Sequence, residues 1–184
     1  KTVANLADYG DMKRNAGIFA DVTLSYKDFL FLNGTARQDY SSSLPKDNNS
    51  YFYPSVSASF IPTEAFKIDS EILTFWKLRA GYAKVGKDTY AEFLNMPFSL
   101  GTTWNNIATI RNSGSIANQQ IEPEFTTEFE YGTDLELFNR RVILDLSLYN
   151  KETTNLITSV IVPTTSGYTA LNTNVGKITN KGVE

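Results

Sequence analysis

Apolar and polar residues alternate along several stretches of this sequence. The first stretch is residues 15–26, whose apolar side is formed by Ile18, Ala20, Val22, Leu24 and Tyr26. A period of two is the signature of a β-strand with one apolar and one polar face. The pattern predicts seven such strands, at residues 15–26, 29–40, 51–61, 73–85, 127–137, 142–151 and from about residue 176 onward.

The predicted strands are long, and shorter and longer connections alternate between them. Strands of soluble sheets usually have about five or six residues, whereas a tilted strand that crosses a bilayer needs about nine to eleven. The odd connections include tight turns at residues 27–28 and 139–140, and the longest even connection is residues 86–126. Short turns at one end and long loops at the other predict an all-β fold in which antiparallel up-and-down strands form the wall of a transmembrane barrel.

Aromatic side chains mark both ends of the predicted apolar face. Those beside the odd connections are Tyr26, Phe60 and Trp76, and those beside the even connections are Tyr40, Phe52, Tyr82 and Phe129. Two aromatic belts are typical of a wall whose rings meet both membrane interfaces. A soluble all-β module that binds glycan is the alternative, and it predicts that apolar positions such as Leu30 and Leu146 are buried against a second sheet.

The alternation also assigns individual side chains to the two faces. The positions predicted to face lipid are Leu30, Leu32, Trp76, Leu78, Leu144, Leu146 and Leu148. The charged positions predicted to face the lumen are Arg37, Asp39, Lys77, Arg79, Glu128, Glu130, Asp134 and Glu136. Three aromatic residues of the longest connection are candidates for contact with a ligand or a partner protein, namely Tyr90, Phe93 and Trp104.

Composition narrows the chemistry that these residues can perform. The chain has no cysteine and no histidine, which excludes disulfides, His or Cys metal sites and the common nucleophile–histidine arrangements. A net charge of −3 offers no basic patch for nucleic acid. No apolar run is long enough for a transmembrane helix. The rows of carboxylates could serve a glycoside hydrolase only as a close pair in a cleft, so we expect a hydrated wall with no catalytic residue, metal or cofactor.

Five motifs follow one another along the chain. They are IFADVTLSYKDFLFLNGTARQDYSS, YPSVSASF, WKLRAGYAKVG, IEPEFTTEFEYGTDLELFNRRVILDLSLYNKETTNLI and NVGKITNKGVE. In this order, and over most of residues 16–184, they resemble the barrel of the SusC/RagA-type TonB-dependent outer-membrane transporters of Bacteroidetes. Gln38 and Tyr40 stand where that family usually has Arg and Gly, and Ala83 and Lys87 break its Tyr-Gly…Gly-Asn pattern.

The resemblance implies a 22-stranded barrel that is plugged by an N-terminal domain, as in large outer-membrane transporters. Residues 1–184 would form about seven of those strands, an arc of the wall without the plug domain or the C-terminal closing strand. The resemblance further implies a protein of the Gram-negative outer membrane that imports large nutrients, oligosaccharides or peptides, and is not an enzyme. Its partners would be a SusD-like surface lipoprotein, outer-membrane lipid, and TonB through segments outside this sequence.

Overall fold

The computed structural model shows one large antiparallel sheet, with short strands, an α-helical turn and a short 3-10 helix (Thr164–Ser166) between its long strands. It describes residues 12–90, 94–96, 98–105, 107–112 and 114–184. In chain order the strands are β1 (Asn15–Tyr26), β2 (Leu30–Ser41), β3 (Ser50–Phe60), β4 (Leu73–Lys87), β5 (Phe98–Leu100), β6 (Ile110–Asn112), β7 (Ser115–Ile116), β8 (Glu124–Leu137), β9 (Val142–Thr154), β10 (Ile157–Ile161), β11 (Ala170–Asn174) and β12 (Lys177–Val183). The large sheet has the order β1-β2-β3-β4-β8-β9-β12, which confirms the predicted up-and-down topology.

Three connections of the large sheet lie at one end of the strands, which we call the short-turn end. They are residues 27–29, 61–72 and 138–141. Lys27 and Asp28 both have positive φ (47° and 58°) and are the central residues of a β-turn that is closed by a 3.3 Å hydrogen bond from the Phe29 N–H to the Tyr26 carbonyl oxygen. Such a turn has a twist that matches that of a hairpin. The middle connection contains the helical turn α1 (Pro62–Ala65). Among the residues that the structure describes, no helix is long and apolar enough to cross a membrane.

The other three connections lie at the opposite end, the loop end. They are residues 42–49, 88–123 and 155–176. Strands β5 and β6 pair with each other inside the second of these connections, and β10, β11 and β7 form a small sheet that joins the second to the third. The second and third of these connections are longer than any at the short-turn end, as expected of a barrel wall. The first is an exception, because residues 42–49 are fewer than residues 61–72 at the short-turn end.

Strand pairing aligns the alternating side chains into two distinct faces. One row of directly paired residues on the apolar face is Leu24, Leu32, Ala58, Ala80, Tyr131 and Leu148. The adjacent row on the opposite face, which we call the polar face, is Thr23, Asn33, Ser57, Gly81, Glu130 and Tyr149. The predicted period of two is thus preserved across the register of the sheet.

The apolar face has no second layer of protein over it in the described part of the chain. The buried hydrophobic residues are Leu44, Tyr51 and Ile121, which pack with the half-buried Tyr53, Phe125 and Ile157. On the apolar face of β9, by contrast, Leu144, Leu146 and Leu148 remain 51%, 46% and 47% exposed. The second sheet that the soluble alternative requires over these positions is therefore not found among the described residues.

The structure extends several predicted strands and adds short ones. Strand β1 has the predicted bounds, whereas β4 continues to Lys87, β8 begins at Glu124 and β9 continues to Thr154. The stretches predicted to be loops, residues 86–126 and 152–174, also contain the five short strands β5, β6, β7, β10 and β11. These have two to five residues each, too few for a period of two to stand out in the sequence.

Candidate functional site

The charged candidates of β4 and β8 meet near the middle of the polar face. Lys77 Nζ lies 3.4 Å from Asp134 Oδ2. Arg79 donates a hydrogen bond to the same carboxylate, and its Nε lies 4.0 Å from Glu130 Oε1. Opposite charges on neighbouring strands stabilise the pairing of those strands, so four of the predicted lumen residues form one cluster.

Arg79 also reaches past its neighbouring strand to the next one. Its Nη2 donates to Asp145 Oδ1 at 2.5 Å and to Ser147 Oγ at 2.7 Å, both on β9. On the way the side chain crosses Gly132 of β8, where an added Cβ atom would lie 2.8 Å from Arg79 Cγ. A glycine at this position leaves room for the long side chain to lie flat, so one guanidinium links three strands.

Gly132, Asp145 and Ser147 were not among the candidates predicted from the sequence. The signal for Asp145 was available, because the β8–β9 hairpin register pairs it directly with Asp134. Two carboxylates that face each other require a cation nearby, since like charges directly opposite destabilise a sheet. Arg79 supplies that cation.

Arg37 and Asp39 form a second, separate group on β2. Arg37 Nε donates to Asp39 Oδ1 at 2.7 Å, and the hydroxyl of Tyr53 on β3 donates to Asp39 Oδ2 at 2.6 Å. The carboxylate of Asp39 lies over Gly17 of β1, where an added Cβ would overlap it. These residues lie nearer the loop end than the Arg79 cluster, as the register of β2 and β3 shows.

The remaining predicted carboxylates have basic neighbours of their own. Glu128 Oε2 lies 3.9 Å from Lys151 Nζ. Glu136 accepts two hydrogen bonds from Arg140, of 2.8 and 2.9 Å, and this hydrogen bonding raises the pKa of Arg140 above its ordinary value. Among the described residues, no group of three potential ligands could hold a metal ion. The polar face is thus a hydrated, charge-paired surface.

At the loop end, Asp88 holds together three segments that are distant in sequence. Its Oδ2 lies 2.6 Å from Lys13 Nζ and accepts hydrogen bonds from Ser41 Oγ (2.5 Å) and Ser43 Oγ (3.2 Å). Both serines are buried. Burial alone would raise the pKa of Asp88, but the hydrogen bonds from Lys13 and Ser41 outweigh that effect and lower it. We call this group the Asp88 anchor.

Amide side chains link the three long connections to one another. Asn48 Nδ2 donates to the carbonyl oxygen of Ile121 at 3.3 Å. Asn174 Nδ2 donates to the carbonyl oxygens of Glu122 (2.8 Å) and Asn155 (2.9 Å). These bonds satisfy backbone groups that no strand pairs, and they join the bases of the connections into one loop layer.

The aromatic candidates of the longest connection lie at different places in this loop layer. Trp104 is at the tip of the β5–β6 hairpin, where its backbone exchanges two 2.9 Å hydrogen bonds with Ile107, and its side chain is 74% exposed. Tyr90 is 78% exposed and lines a depression of about 260 Å³ beside Lys13 and Lys87. Phe93 lies outside the described residues.

The β5–β6 hairpin carries more exposed apolar side chains than the sequence candidates suggested. Besides Trp104 these are Phe98, Leu100, Ile107 and Ile110. A concentration of large exposed apolar residues on a soluble surface is typical of an interaction site. We refer to these five residues as the hairpin patch.

The seven residues predicted to face lipid all lie on the apolar face. Leu32, Leu78, Leu144, Leu146 and Leu148 are exposed, and Leu30 and Trp76 are half-buried. The indole Nε1 of Trp76 donates a 3.1 Å hydrogen bond to Thr133 Oγ1, which satisfies the polar atom of a ring on an otherwise apolar surface.

Comparison with known proteins identifies this wall. The family model described as "TonB dependent receptor-like, beta-barrel" matches residues 2–184. The chain belongs to this family. TonB-dependent receptor barrels are proteins of the outer membrane, so the large sheet is an arc of an outer-membrane barrel wall.

Curated relatives of the receptor barrel come from two Bacteroidetes species. The chain is 32% identical over 173 residues to TonB-dependent receptor P26 of Formosa agariphila, and the aligned region covers 92% of the chain and 18% of that receptor. It is 29% identical over 165 residues to TonB-dependent receptor SusC of Bacteroides thetaiotaomicron, and the aligned region covers 82% of the chain and 16% of SusC. The chain thus spans less than a fifth of the length of these relatives.

Solved structures show the same barrel fold. The RagAB peptide transporter superposes with a TM-score of 0.83 at 21% identity, over 93% of this chain and 19% of the matched chain. The siderophore receptor PirA from Pseudomonas aeruginosa superposes with a TM-score of 0.62 at 15% identity, over 94% of this chain and 30% of that receptor. The receptor-barrel architecture therefore replaces the soluble glycan-binding alternative.

Proposed function

We propose that the receptor to which this wall belongs imports large nutrients, oligosaccharides or peptides, across the outer membrane. A SusD-like surface lipoprotein would cover the loop end, and TonB would drive the opening of the transporter. The observation that carries the proposal is the two-faced sheet. Its apolar face is left exposed by the protein, and its opposite face is rich in paired charges and small polar residues.

The polar face suits a hydrated path for bulky cargo. Lys77 and Arg79 place two positive charges beside the carboxylates of Glu130, Asp134 and Asp145, so the middle of the wall is hydrated and carries only a small net negative charge. Around Ser57 and Gly81 the same face has a shallow depression of about 270 Å³. A wall of this kind attracts neither cations nor anions strongly, which favours cargo that is neutral or of mixed charge, as oligosaccharides and many peptides are.

The loop layer suits contact with a partner protein or with cargo. Exposed aromatic and aliphatic side chains of the hairpin patch resemble the apolar centre of a protein interface, in which aromatic residues are enriched. The similarity in fold to the RagAB peptide transporter supports peptides as one class of cargo. The relatedness to SusC supports a lipoprotein partner of the SusD type.

Uptake in the native bacterium tests the proposal. The gene of the complete receptor is deleted, and growth is compared on defined oligosaccharides and on peptides as the sole nutrient, with and without the complementing gene. The expected result is that the deletion strain no longer grows on one of the two nutrient classes. The intact receptor gene restores this growth, but does not restore it in a strain that also lacks TonB. Unchanged growth and unchanged uptake of labelled cargo on both classes would contradict an import function.

The role of a partner is tested on the purified complex. The tagged complete receptor is isolated from outer membranes in mild detergent and imaged by electron cryo-microscopy. We expect a lipoprotein seated over the loop end and in contact with Trp104 or its hairpin. A receptor with an uncovered loop end in every particle class, prepared from cells that express the lipoprotein, would contradict that part of the proposal.

A further inference from the structure

The short-turn end carries a continuous chain of aromatic rings that ends on an exposed side chain. The ring centroids of Tyr26 and Phe29 are 5.5 Å apart, those of Phe29 and Phe60 are 5.9 Å apart, and those of Phe60 and Phe66 are 6.1 Å apart. All three contacts are edge-to-face, with interplanar angles of 84°, 86° and 82°, an arrangement that aromatic pairs prefer. We call these four residues the aromatic chain.

The aromatic chain begins on the apolar face of the wall. Leu30 pairs with Tyr26 on one side and with Phe60 on the other, so these rings share the face of the lipid-facing candidates. The chain then leaves the strands, because Phe66 follows α1 in the connection between β3 and β4. Phe66 therefore extends the apolar surface beyond the end of the sheet.

The turn that carries Phe66 is held firmly against the sheet. Pro62 and Thr63 are buried, and Thr63 Oγ1 accepts a 3.3 Å hydrogen bond from the backbone of Trp76 on β4. The backbone N–H of Phe66 donates to the carbonyl oxygen of Pro62 at 3.0 Å. In spite of this fixed position, the Phe66 side chain is 70% exposed.

Basic side chains flank the aromatic chain. Lys27 Nζ lies 5.1 Å from the centre of the Tyr26 ring, and Lys67, next to Phe66, is also exposed. Aromatic rings with neighbouring lysines are the combination that settles at the boundary between phospholipid headgroups and acyl chains. At the short-turn end of an outer-membrane barrel this boundary belongs to the periplasmic leaflet.

We propose that the aromatic chain is a membrane anchor, with Phe66 inserted at the headgroup–acyl boundary of the periplasmic phospholipid leaflet. The inference rests on the predicted contact of the apolar face with lipid, and it adds that the connection between β3 and β4 lies on the membrane rather than in the periplasm. The anchor fixes the depth of the barrel at this point, because α1 cannot shift without moving β3 and β4.

Nitroxide accessibility in the complete receptor tests the anchor. Single labels are introduced through Phe66→Cys and Leu146→Cys, with other cysteines of the receptor replaced, and the protein is reconstituted in phospholipid vesicles. Glu64→Cys is the matched control, because two residues along a helical turn point to nearly opposite sides. Power saturation compares collisions with oxygen, which concentrates in lipid, and with a water-soluble nickel complex.

We expect the Phe66 label to collide mainly with oxygen, and the ratio of oxygen to nickel collisions to place it deeper than the headgroups but shallower than the Leu146 label. The Glu64 label is expected to collide mainly with nickel. A Phe66 label as accessible to nickel as the Glu64 label, with the Leu146 label still in lipid, would overturn the anchor and leave the lipid wall intact. Nickel access at both Phe66 and Leu146, in receptor that keeps its folded mobility in gels, would overturn the lipid wall as well.

Discussion

The substitution Leu146→Arg provides a direct energetic test of the apolar face. Leu146 is in the first half of β9 (Val142–Thr154, 13 residues) and is 46% exposed beside Thr133, its paired neighbour on β8. With a strand rise of about 3.4 Å and a tilt of about 40°, Leu146 lies about 10 Å above the start of the strand. The apolar band of such barrels is about 25 Å tall, so Leu146 is close to the bilayer midplane.

The expected cost follows from this depth. An arginine on the lipid face costs about 2–4 kcal/mol at the midplane and about 0–1 kcal/mol near the interfaces. At about 1.4 kcal/mol for each factor of ten, Leu146→Arg lowers the ratio of folded to unfolded receptor roughly 30- to 700-fold. Ser147→Arg is the matched control. Ser147 lies on the polar face next to the carboxylate of Asp145, so the guanidinium introduced there remains in water.

The assay is reversible urea unfolding of the complete receptor in phospholipid vesicles, followed by the gel mobility of the folded form. Leu146→Arg lowers the free energy of unfolding by the stated amount, and Ser147→Arg lowers it by about 1 kcal/mol or less, the value of one exposed hydrogen bond or ion pair. Equal losses at the two positions, or a larger loss at Ser147, would refute the assignment of the leucine face to lipid.

Three further perturbations address the polar face and the loop layer. Gly132→Leu displaces the Arg79 side chain that crosses this position and lowers the unfolding midpoint of the complete receptor, with a loss of about 0.2–1 kcal/mol for each ion pair broken; Gly81→Leu is the control, because an added Cβ there has no atom within 4 Å. The lowered pKa of Asp88 means that its carboxylate stabilises the loop layer above its ordinary pKa of 3.8 and loses that effect as the pH falls through the lowered value. Pepsin cleavage of the connection between β4 and β8, divided at each pH by pepsin cleavage of an unfolded reference peptide to remove the enzyme's own pH dependence, therefore rises as the pH falls in the native receptor. Asp88→Asn makes this ratio high at every pH tested. Trp104→Ala weakens binding of the lipoprotein or of cargo, measured by calorimetry, without changing the unfolding midpoint, because the side chain is 74% exposed; an unchanged affinity for both would remove Trp104 from the candidates.

The local alternation predicted the long strands because the information lies within each strand. In β1 the contrast between Val22 and its polar neighbours Asp21 and Thr23 is strong, and the predicted bounds are those of the structure. In β8 the polar residues Thr126 and Thr127 conceal the start of the strand, which pairing with β4 extends back to Glu124. Propensity and period alone do not show where such pairing ends.

The interactions that the sequence did not predict depend on contacts between distant segments. The link from Arg79 to Asp145 requires the register of three strands and the absence of a side chain at Gly132. The Asp88 anchor joins residues 41 and 88 across two strands. Residue types on a face can be predicted from a single sequence, but which charges meet depends on how far each strand is shifted against its neighbour.

The hydrogen bonds of the loop layer are concentrated at its base, and this has a consequence for how such receptors diversify. Asn174, Asn155 and Glu122 tie the connections together next to the strands, whereas the tip around Trp104 bonds mainly within its own hairpin. Substitutions and insertions at the tip therefore leave the wall and the loop base undisturbed. Natural selection can therefore alter the tip in small steps, so one inherited barrel can acquire a different outer surface without a new fold.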